Sequence, residues 1–209
     1  MARVIAGEAG GRRLAVPDGR NTRPTSDRAR EGLFATIVSL TGSLAGARVL
    51  DLYAGSGAVG LEALSRGAEH VLLVESGSRA ARVIRDNIEA IGLPGAEVLT
   101  DRVERVLARG PAATEKYDVV FADPPYALAG DEVSAMLALL LRGGDPPKPP
   151  REGISDHGWL APGALVIVER ATRSGPVSWP AGLEPDRARR YGEATFWYAR
   201  APYNLLAEP

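Results

Sequence analysis

The 209-residue chain contains no cysteine, which excludes disulfides and thiolate metal sites. Its only histidines are His70 and His157, too few for a histidine-rich metal centre, so no metal is expected. Lysine is almost missing too. Lys116 and Lys148 stand alone, and arginine carries the positive charge. No apolar run reaches the roughly 20 residues that a membrane-spanning helix needs. The opening residues MARVIAGEAGGRRL hold no apolar stretch before a cleavage site, so no signal peptide is expected. A cytoplasmic protein with no membrane partner is the default, and a monomer is expected.

What is present suits a globular domain: 45% hydrophobic and 24% charged residues. The length suits one domain with a small appendage. The net charge of −1 argues for no partner, but its distribution is uneven. Residues 1–30 carry Arg3, Arg12, Arg13, Arg20, Arg23, Arg28 and Arg30 against Glu8, Asp18 and Asp27, a net +4. A basic arm on a mildly acidic body suggests a polyanionic partner. The same excess also fits an arginine-biased composition.

Residues 3–16, RVIAGEAGGRRLAV, predict a hairpin of two short strands around a glycine-rich turn. PDGRNTRPTS predicts a loop, and Thr25 or Ser26 can cap a helix DRAREGLFATIVSL with Leu33, Phe34, Ile37 and Val38 as its apolar stripe. From Arg48 the pattern alternates. Short apolar strands (RVLDLY, HVLLVE, AEVLT, YDVVFAD, ALVIVER) are separated by amphipathic helices that end at glycines. This predicts a doubly wound α/β domain with a mostly parallel sheet covered on both faces. The tail RARRYGEATFWYAR predicts two strands around Gly192 that close one sheet edge, and GGDPPKPPREG an exposed loop. The domain boundaries expected are a hairpin arm over residues 1–25 and a main domain over residues 26–209.

Gly55, Gly57 and Gly60 in VLDLYAGSGAVG form G-x-G-x-x-G between the first core strand and its helix. In an open parallel sheet, ligands bind beyond the carboxyl ends of the strands. Glu75 ends the next strand, fifteen residues after Gly60, where a carboxylate can accept two ribose hydroxyls. NAD and S-adenosylmethionine both offer that ribose. Asp51 separates them in part. A pyrophosphate on the helix N-terminus would be repelled by a nearby acid, whereas a sulfonium and an ammonium are drawn to one. Asp51 could also serve only to bind loop amides.

Asp123-Pro124-Pro125-Tyr126 follows the strand YDVVF and so lies at the same sheet edge. Two prolines stiffen the loop and remove two backbone donors. The loop carbonyls and the Asp123 carboxylate then form a set of acceptors suited to an exocyclic amino group. Gripping its two hydrogens favours a pyramidal nitrogen with its lone pair aimed at a methyl donor, which is catalysis by positioning and electrostatics. Tyr126 is placed to stack on an extruded base.

Over nearly its whole length the chain resembles the bacterial RsmD-like family of S-adenosylmethionine-dependent 16S rRNA guanine-N2 methyltransferases. The resemblance is carried by RVIAGEAGGRRL, TRPTSDRAREGLF, VLDLYAGSGAVGLEALSRGAEHVLLVE and FADPPY. It implies a seven-stranded Rossmann-like methyltransferase sheet with an N-terminal β-hairpin extension. It implies that Asp51, Gly55 and Gly57 hold the methionine part of the cofactor, Glu75 the ribose and Asp101 the adenine side, with Tyr53 also in the cofactor site. Arg23, Pro24 and Thr25 would order the arm against cofactor and RNA, and Asp123 through Tyr126 would hold the target amine and base. The partner would be 16S rRNA, alone or within the assembled small subunit. A DNA adenine-N6 methyltransferase is the alternative, although such enzymes usually carry a separate sequence-reading domain. A dehydrogenase leaves Asp51 and the Asp-Pro-Pro-Tyr loop unused, and a non-catalytic RNA-binding protein leaves the glycine turn unused. Arg3, Arg12, Arg13 and Arg20 are the expected phosphate contacts, on an arm that the sheet should not require.

Overall fold

Alternation in the apolar strands sets up two cores, one on each face of a central sheet. Val49, Val71, Leu73, Val119, Phe121, Leu165 and Ile167 enter one core, whereas Leu50, Leu52, Leu72, Val74, Val120, Val166 and Val168 enter the other. Successive strand residues point to opposite faces, so strands that are apolar at every position must be covered twice. The computed structural model describes residues 2–17, 26–111, 115–142 and 158–203.

The chain begins with a two-stranded antiparallel hairpin, β1 (Ala2–Arg3) and β2 (Arg13–Leu14). Helix α1 (Asp27–Thr41) follows, then β3 (Arg48–Leu52), α2 (Ala58–Ser65), β4 (His70–Val74), α3 (Ser78–Ile91) and β5 (Ala96–Leu99). The second half runs α4 (Val103–Arg109), β6 (Tyr117–Ala122), α5 (Gly130–Arg142), β7 (Leu160–Ala171), β8 (Glu184–Tyr191) and β9 (Ala194–Arg200). The hydroxyl of Ser26 caps α1 by accepting from Ala29 N–H at 3.2 Å, with Asp27 in the first turn. The alternative cap, Thr25, lies outside the described residues, as do Arg20, Arg23, Pro24 and the proline-rich stretch 143–153.

The seven-stranded sheet has the order β5-β4-β3-β6-β7-β9-β8. Pairs β3–β4, β4–β5, β3–β6 and β6–β7 are parallel, and the β8–β9 hairpin adds two antiparallel strands at one edge. From β3 the chain winds outward through β4 and β5, then crosses back to place β6 on the other side of β3. That reversal is a topological switch point, and a crevice opens there at the carboxyl ends of β3 and β6.

Three details depart from the sequence reading. Strand β7 starts at Leu160 rather than Ala164, with a register irregularity against β6 between Tyr117 and Val119. Val38 leaves the apolar stripe of α1 and is 39% exposed, while Ala29, Leu33, Phe34 and Ile37 are buried. The hairpin is also no loose arm. Ala2, Val4, Ala9 and Leu14 are buried in the same core as α1, α2 and β3. The carboxylate of Glu62 on α2 is fully buried and accepts the backbone N–H groups of Ile5 (2.6 Å) and Ala6 (3.1 Å) while pairing with Arg66 at 2.7 Å. Ser65 adds a hydroxyl that accepts from Ala9 N–H and donates to the Ala6 carbonyl, and Asn87 on α3 exchanges bonds with both backbone groups of Ala15. The expectation that the sheet does not require this segment is therefore corrected. Removing the segment strips the partners from a buried carboxylate and uncovers apolar surface.

Candidate active site

The register of β3 and β6 places the glycine turn and the Asp-Pro-Pro-Tyr loop side by side. Asp51 pairs with Phe121 and Leu52 with Ala122, and Asp123 N–H donates to the Leu52 carbonyl at 3.3 Å. Both segments leave the sheet in the same direction and line one cavity of about 400 Å³. Asp51, Tyr53, Gly55 and Glu75 form one wall, and Asp123, Pro124, Pro125 and Tyr126 form the opposite one.

The glycines divide their work. Gly55 has φ +57°, and a Cβ there would meet nothing closer than 4.0 Å, so its backbone faces open space. Gly57 is buried against Leu73 and Ile84 and does not line the cavity. Its packing against these two side chains holds the turn against β4 and α3. Tyr53 is the only described non-glycine residue with positive φ, at +60°. Such a backbone is uncommon outside glycine and asparagine and persists only where its surroundings enforce it. Its hydroxyl donates to Glu104 at 2.7 Å, which ties the turn to α4.

The cavity is acidic. Asp51 is 1% exposed and accepts Gly60 N–H at 2.8 Å. Burial, with the charge of Glu75 adding to it, pushes the Asp51 carboxyl up to about 7 against the opposing Gly60 hydrogen bond. Glu75 accepts Gly55 N–H at 2.9 Å and Gly77 N–H at 2.6 Å, one on each oxygen. Each carboxylate oxygen keeps a second lone pair, so both residues can hold the turn and also face a ligand. Asp123 is half-buried. Burial first, then the charges of Glu169 and Asp51, lift its carboxyl well above the usual range, while Arg170 opposes the shift. Arg170 also donates to the Leu128 carbonyl at 2.8 Å and anchors the far end of the loop. The Pro125 carbonyl accepts Leu128 N–H at 2.9 Å, which closes the loop into a turn.

Tyr126 is 50% exposed and borders a second cavity, of about 450 Å³. This one lies between the start of α1 and the β8–β9 turn and is lined by Arg28, Glu169, Arg190, Tyr191 and Glu193. Only Arg28 figures in the sequence reading, among the arginines of the basic arm. The available signal was a charged pair, Glu169-Arg170, ending an apolar parallel strand at the same edge as Asp51 and Asp123.

The remaining expected residues fall elsewhere. Asp101 is absent from the cavity lining and forms ion pairs with Arg105 and Arg109 at 3.4 and 2.7 Å. Arg3 pairs with Asp27 at 3.1 Å. Arg12 donates to the carbonyls of Ala90 (3.0 Å) and Ile91 (2.7 Å) at the end of α3, where a cation suits the helix dipole. Arg13 is exposed on β2. Arg20, Arg23 and Thr25 lie outside the described residues. Among the described residues no helix is long and apolar enough to cross a membrane, and no cluster of three acidic or histidine ligands could hold a metal ion.

Comparison with known proteins gives a consistent picture. Residues 2–144 match the family model described as Conserved hypothetical protein 95. Ribosomal RNA small subunit methyltransferase D of Escherichia coli K12 is 32% identical over 93% of this chain and 87% of its own length. The protein of the same name from Haemophilus influenzae is 32% identical over 80% of this chain and 77% of its own length. The solved structure of yhhF from Escherichia coli superposes with a TM-score of 0.77 at 30% identity, covering 96% of this chain and 98% of that one.

Proposed function

Because the chain belongs to the Conserved hypothetical protein 95 family, the RsmD family of methyltransferases, we propose that this methyltransferase moves a methyl group from S-adenosylmethionine to the exocyclic N2 amine of a guanine in 16S rRNA. Its place of action would be the cytoplasm, on the small ribosomal subunit or its RNA. The observation that carries this reading is the shared cavity, in which the acidic glycine turn faces the Asp-Pro-Pro-Tyr loop across the β3–β6 switch point. Three carboxylates, Asp51, Glu75 and Asp123, line it. That donor set fits a ligand with a sulfonium, an ammonium and ribose hydroxyls, and disfavours the pyrophosphate of a nicotinamide cofactor.

Bound there, S-adenosylmethionine would supply an electrophilic methyl group. Asp51 would face its positive charges, Glu75 its ribose hydroxyls, and the Gly55 backbone its body. On the opposite wall the Asp123 carboxylate accepts a hydrogen bond from the target amine, and the rigid diproline turn fixes the direction of that bond. Tyr126 offers a ring face to the base, worth about 1–3 kcal/mol for a stacked base. Ionised Asp123 is the form that grips the amine, and it acts by orientation rather than as a strong base.

Mass mapping of rRNA nucleosides tests the reading directly. Small-subunit RNA from a strain lacking the protein should lack one N2-methylguanosine, and the wild-type chain supplied in trans should restore it. An unchanged nucleoside map would overturn the proposal. Calorimetry with S-adenosylhomocysteine and with NADH separates the methyltransferase from the dehydrogenase reading, since only the former should bind.

A further inference from the structure

We propose that Arg170 is a positioning residue of the reaction, one that pins the Asp-Pro-Pro-Tyr loop through the Leu128 carbonyl and sets a positive charge beside Asp123. This rests on the reading of Asp123 as the acceptor of a target amine.

Strand register brings Arg170 to the loop. Ala122 pairs with Val168 across β6–β7, and the chain leaves the sheet after Ala122 while β7 runs on to Ala171. Side chains alternate along a strand, so Arg170 shares the face of Val166 and Val168. Leu128 and the buried side chains of α5 belong to the core on that face. The loop ends at α5 and so passes over the same face. Arg170 meets it at its far end, where Nη2 donates to the Leu128 carbonyl at 2.8 Å. Leu128 N–H in turn donates to the Pro125 carbonyl at 2.9 Å. The two bonds run in series, so the guanidinium holds the turn that follows the diproline.

The same side chain answers a problem of charge. Arg170 is 7% exposed, and a guanidinium at that depth is costly without negative charge nearby. Burial first, then Glu169 on β7 and Asp51 on β3, raises the Asp123 carboxyl, and Arg170 acts in the opposite sense. Glu75, after β4, adds a further carboxylate to the cavity that Asp123 lines. Arg30 on α1 lines that cavity too, but Asp27 engages it at 2.7 Å. A protonated carboxyl carries an O–H donor, which meets an amine hydrogen badly, whereas the ionised form is acceptor only. The charge of Arg170 therefore favours the form of Asp123 that grips an amine, and its hydrogen bond fixes the loop that carries it. A loop anchor without this electrostatic part would supply only the second effect. Glutamine keeps a donor without the charge, and lysine keeps the charge without the planar fork, so the two effects separate.

The test follows the Asp123 carboxyl directly, by carbon NMR of protein labelled at the aspartate side-chain carboxyls, with D123N to assign the signal. Removing a positive charge makes ionisation harder, so in R170Q the titration midpoint should move to higher pH, and in R170K it should stay in place. The kcat profile on small-subunit RNA should follow. The loss in R170Q relative to wild type should be about tenfold greater on the acid limb than on the alkaline plateau, with S-adenosylhomocysteine affinity unchanged. R170K should lose about tenfold or more at every pH, through the loosened loop. A midpoint that stays put in R170Q, or an equal loss at every pH, overturns the proposal. So does R170K with a displaced midpoint or with wild-type kcat, and this arm decides where R170Q fails to bind S-adenosylhomocysteine. A wild-type protein that forms no N2-methylguanosine overturns the underlying function instead, and the carboxyl titration, which needs no RNA, still decides whether Arg170 acts on Asp123.

Discussion

Two antiparallel ribbons pack against helix α1, and both are rich in arginine, but they use it differently. In the N-terminal hairpin, Arg3 binds Asp27 and Arg12 caps the end of α3. Its backbone is fastened by the buried Glu62. In the β8–β9 ribbon, Arg189 and Arg190 are exposed, and Arg190 lines the cavity next to Tyr126. Arg3 and Arg12 of the first ribbon bind within the fold, as does Arg200 of the second, which donates to the Leu40 and Gly163 carbonyls, whereas Arg190 borders a cavity. Local density of positive charge therefore does not by itself tell which arginines are available to a ligand; what each arginine touches does.

If that contrast holds, variants of the loop next to the second ribbon should lose chemistry, and variants of the first ribbon's anchor should lose stability. The largest effect expected is from Asp123→Ala, which should lower the methylation rate by about 3 kcal/mol or more in barrier height and leave S-adenosylhomocysteine affinity nearly intact by calorimetry. A collapse of cofactor binding would show that Asp123 serves the cofactor wall instead. Close in size is Glu62→Ala, which leaves Arg66 and the amides of Ile5 and Ala6 without their buried carboxylate. It should cost about 3–5 kcal/mol in denaturant unfolding, and a variant as stable as the wild type would return the hairpin to the status of a loose arm.

A third test concerns the acidic turn. Asp51 titrates near 7 in the free protein, and a cationic ligand favours its ionised form. Below that pH the proton must leave before the ligand's charge is matched, so S-adenosylmethionine affinity should fall with pH, by up to about tenfold per unit. Above it, affinity should level off. A flat profile between pH 5 and pH 8 would remove Asp51 from contact with the ligand's charge. The smallest effect expected is from Arg12→Ala. Loss of its bonds to the end of α3 should reduce stability by about 0.3–1 kcal/mol, with the salt dependence of RNA binding unchanged. A flatter salt slope in this variant would give the first ribbon a share in the phosphate contacts and blur the contrast.

Much of the site was legible because each part is local. The glycine turn, Glu75 at the end of β4, and Asp-Pro-Pro-Tyr after β6 are short segments with fixed offsets from strand ends, and all but Gly57 of the residues expected there line one cavity. Gly57 packs closely against Leu73 and Ile84, a second use of glycine that the motif alone does not distinguish from ligand approach. Asp101 follows its strand as Glu75 follows β4, but two arginines one and two turns along α4 draw it aside. Glu62 was invisible, since a glutamate inside an amphipathic helix reads as solvated until the backbone amides that approach it are known. Gly32 on α1 makes room for Tyr191 from a strand far away in the chain, which no local pattern announces.

The sequence by itself determined the alternation of strands and helices, the two-sided cover of the sheet and the chemistry available at each strand end. These depend on periodicity and on turn residues a few positions apart. Only the tertiary structure decided that β6 crosses over to lie beside β3, that β9 inserts between β7 and β8, and that Glu169 thereby stands next to Asp123. It also decided which arginines are consumed by carbonyls and carboxylates within the fold. Those outcomes depend on strand order and register between segments tens of residues apart, where hydrogen bonding and packing of the whole sheet, rather than any local preference, select the partner.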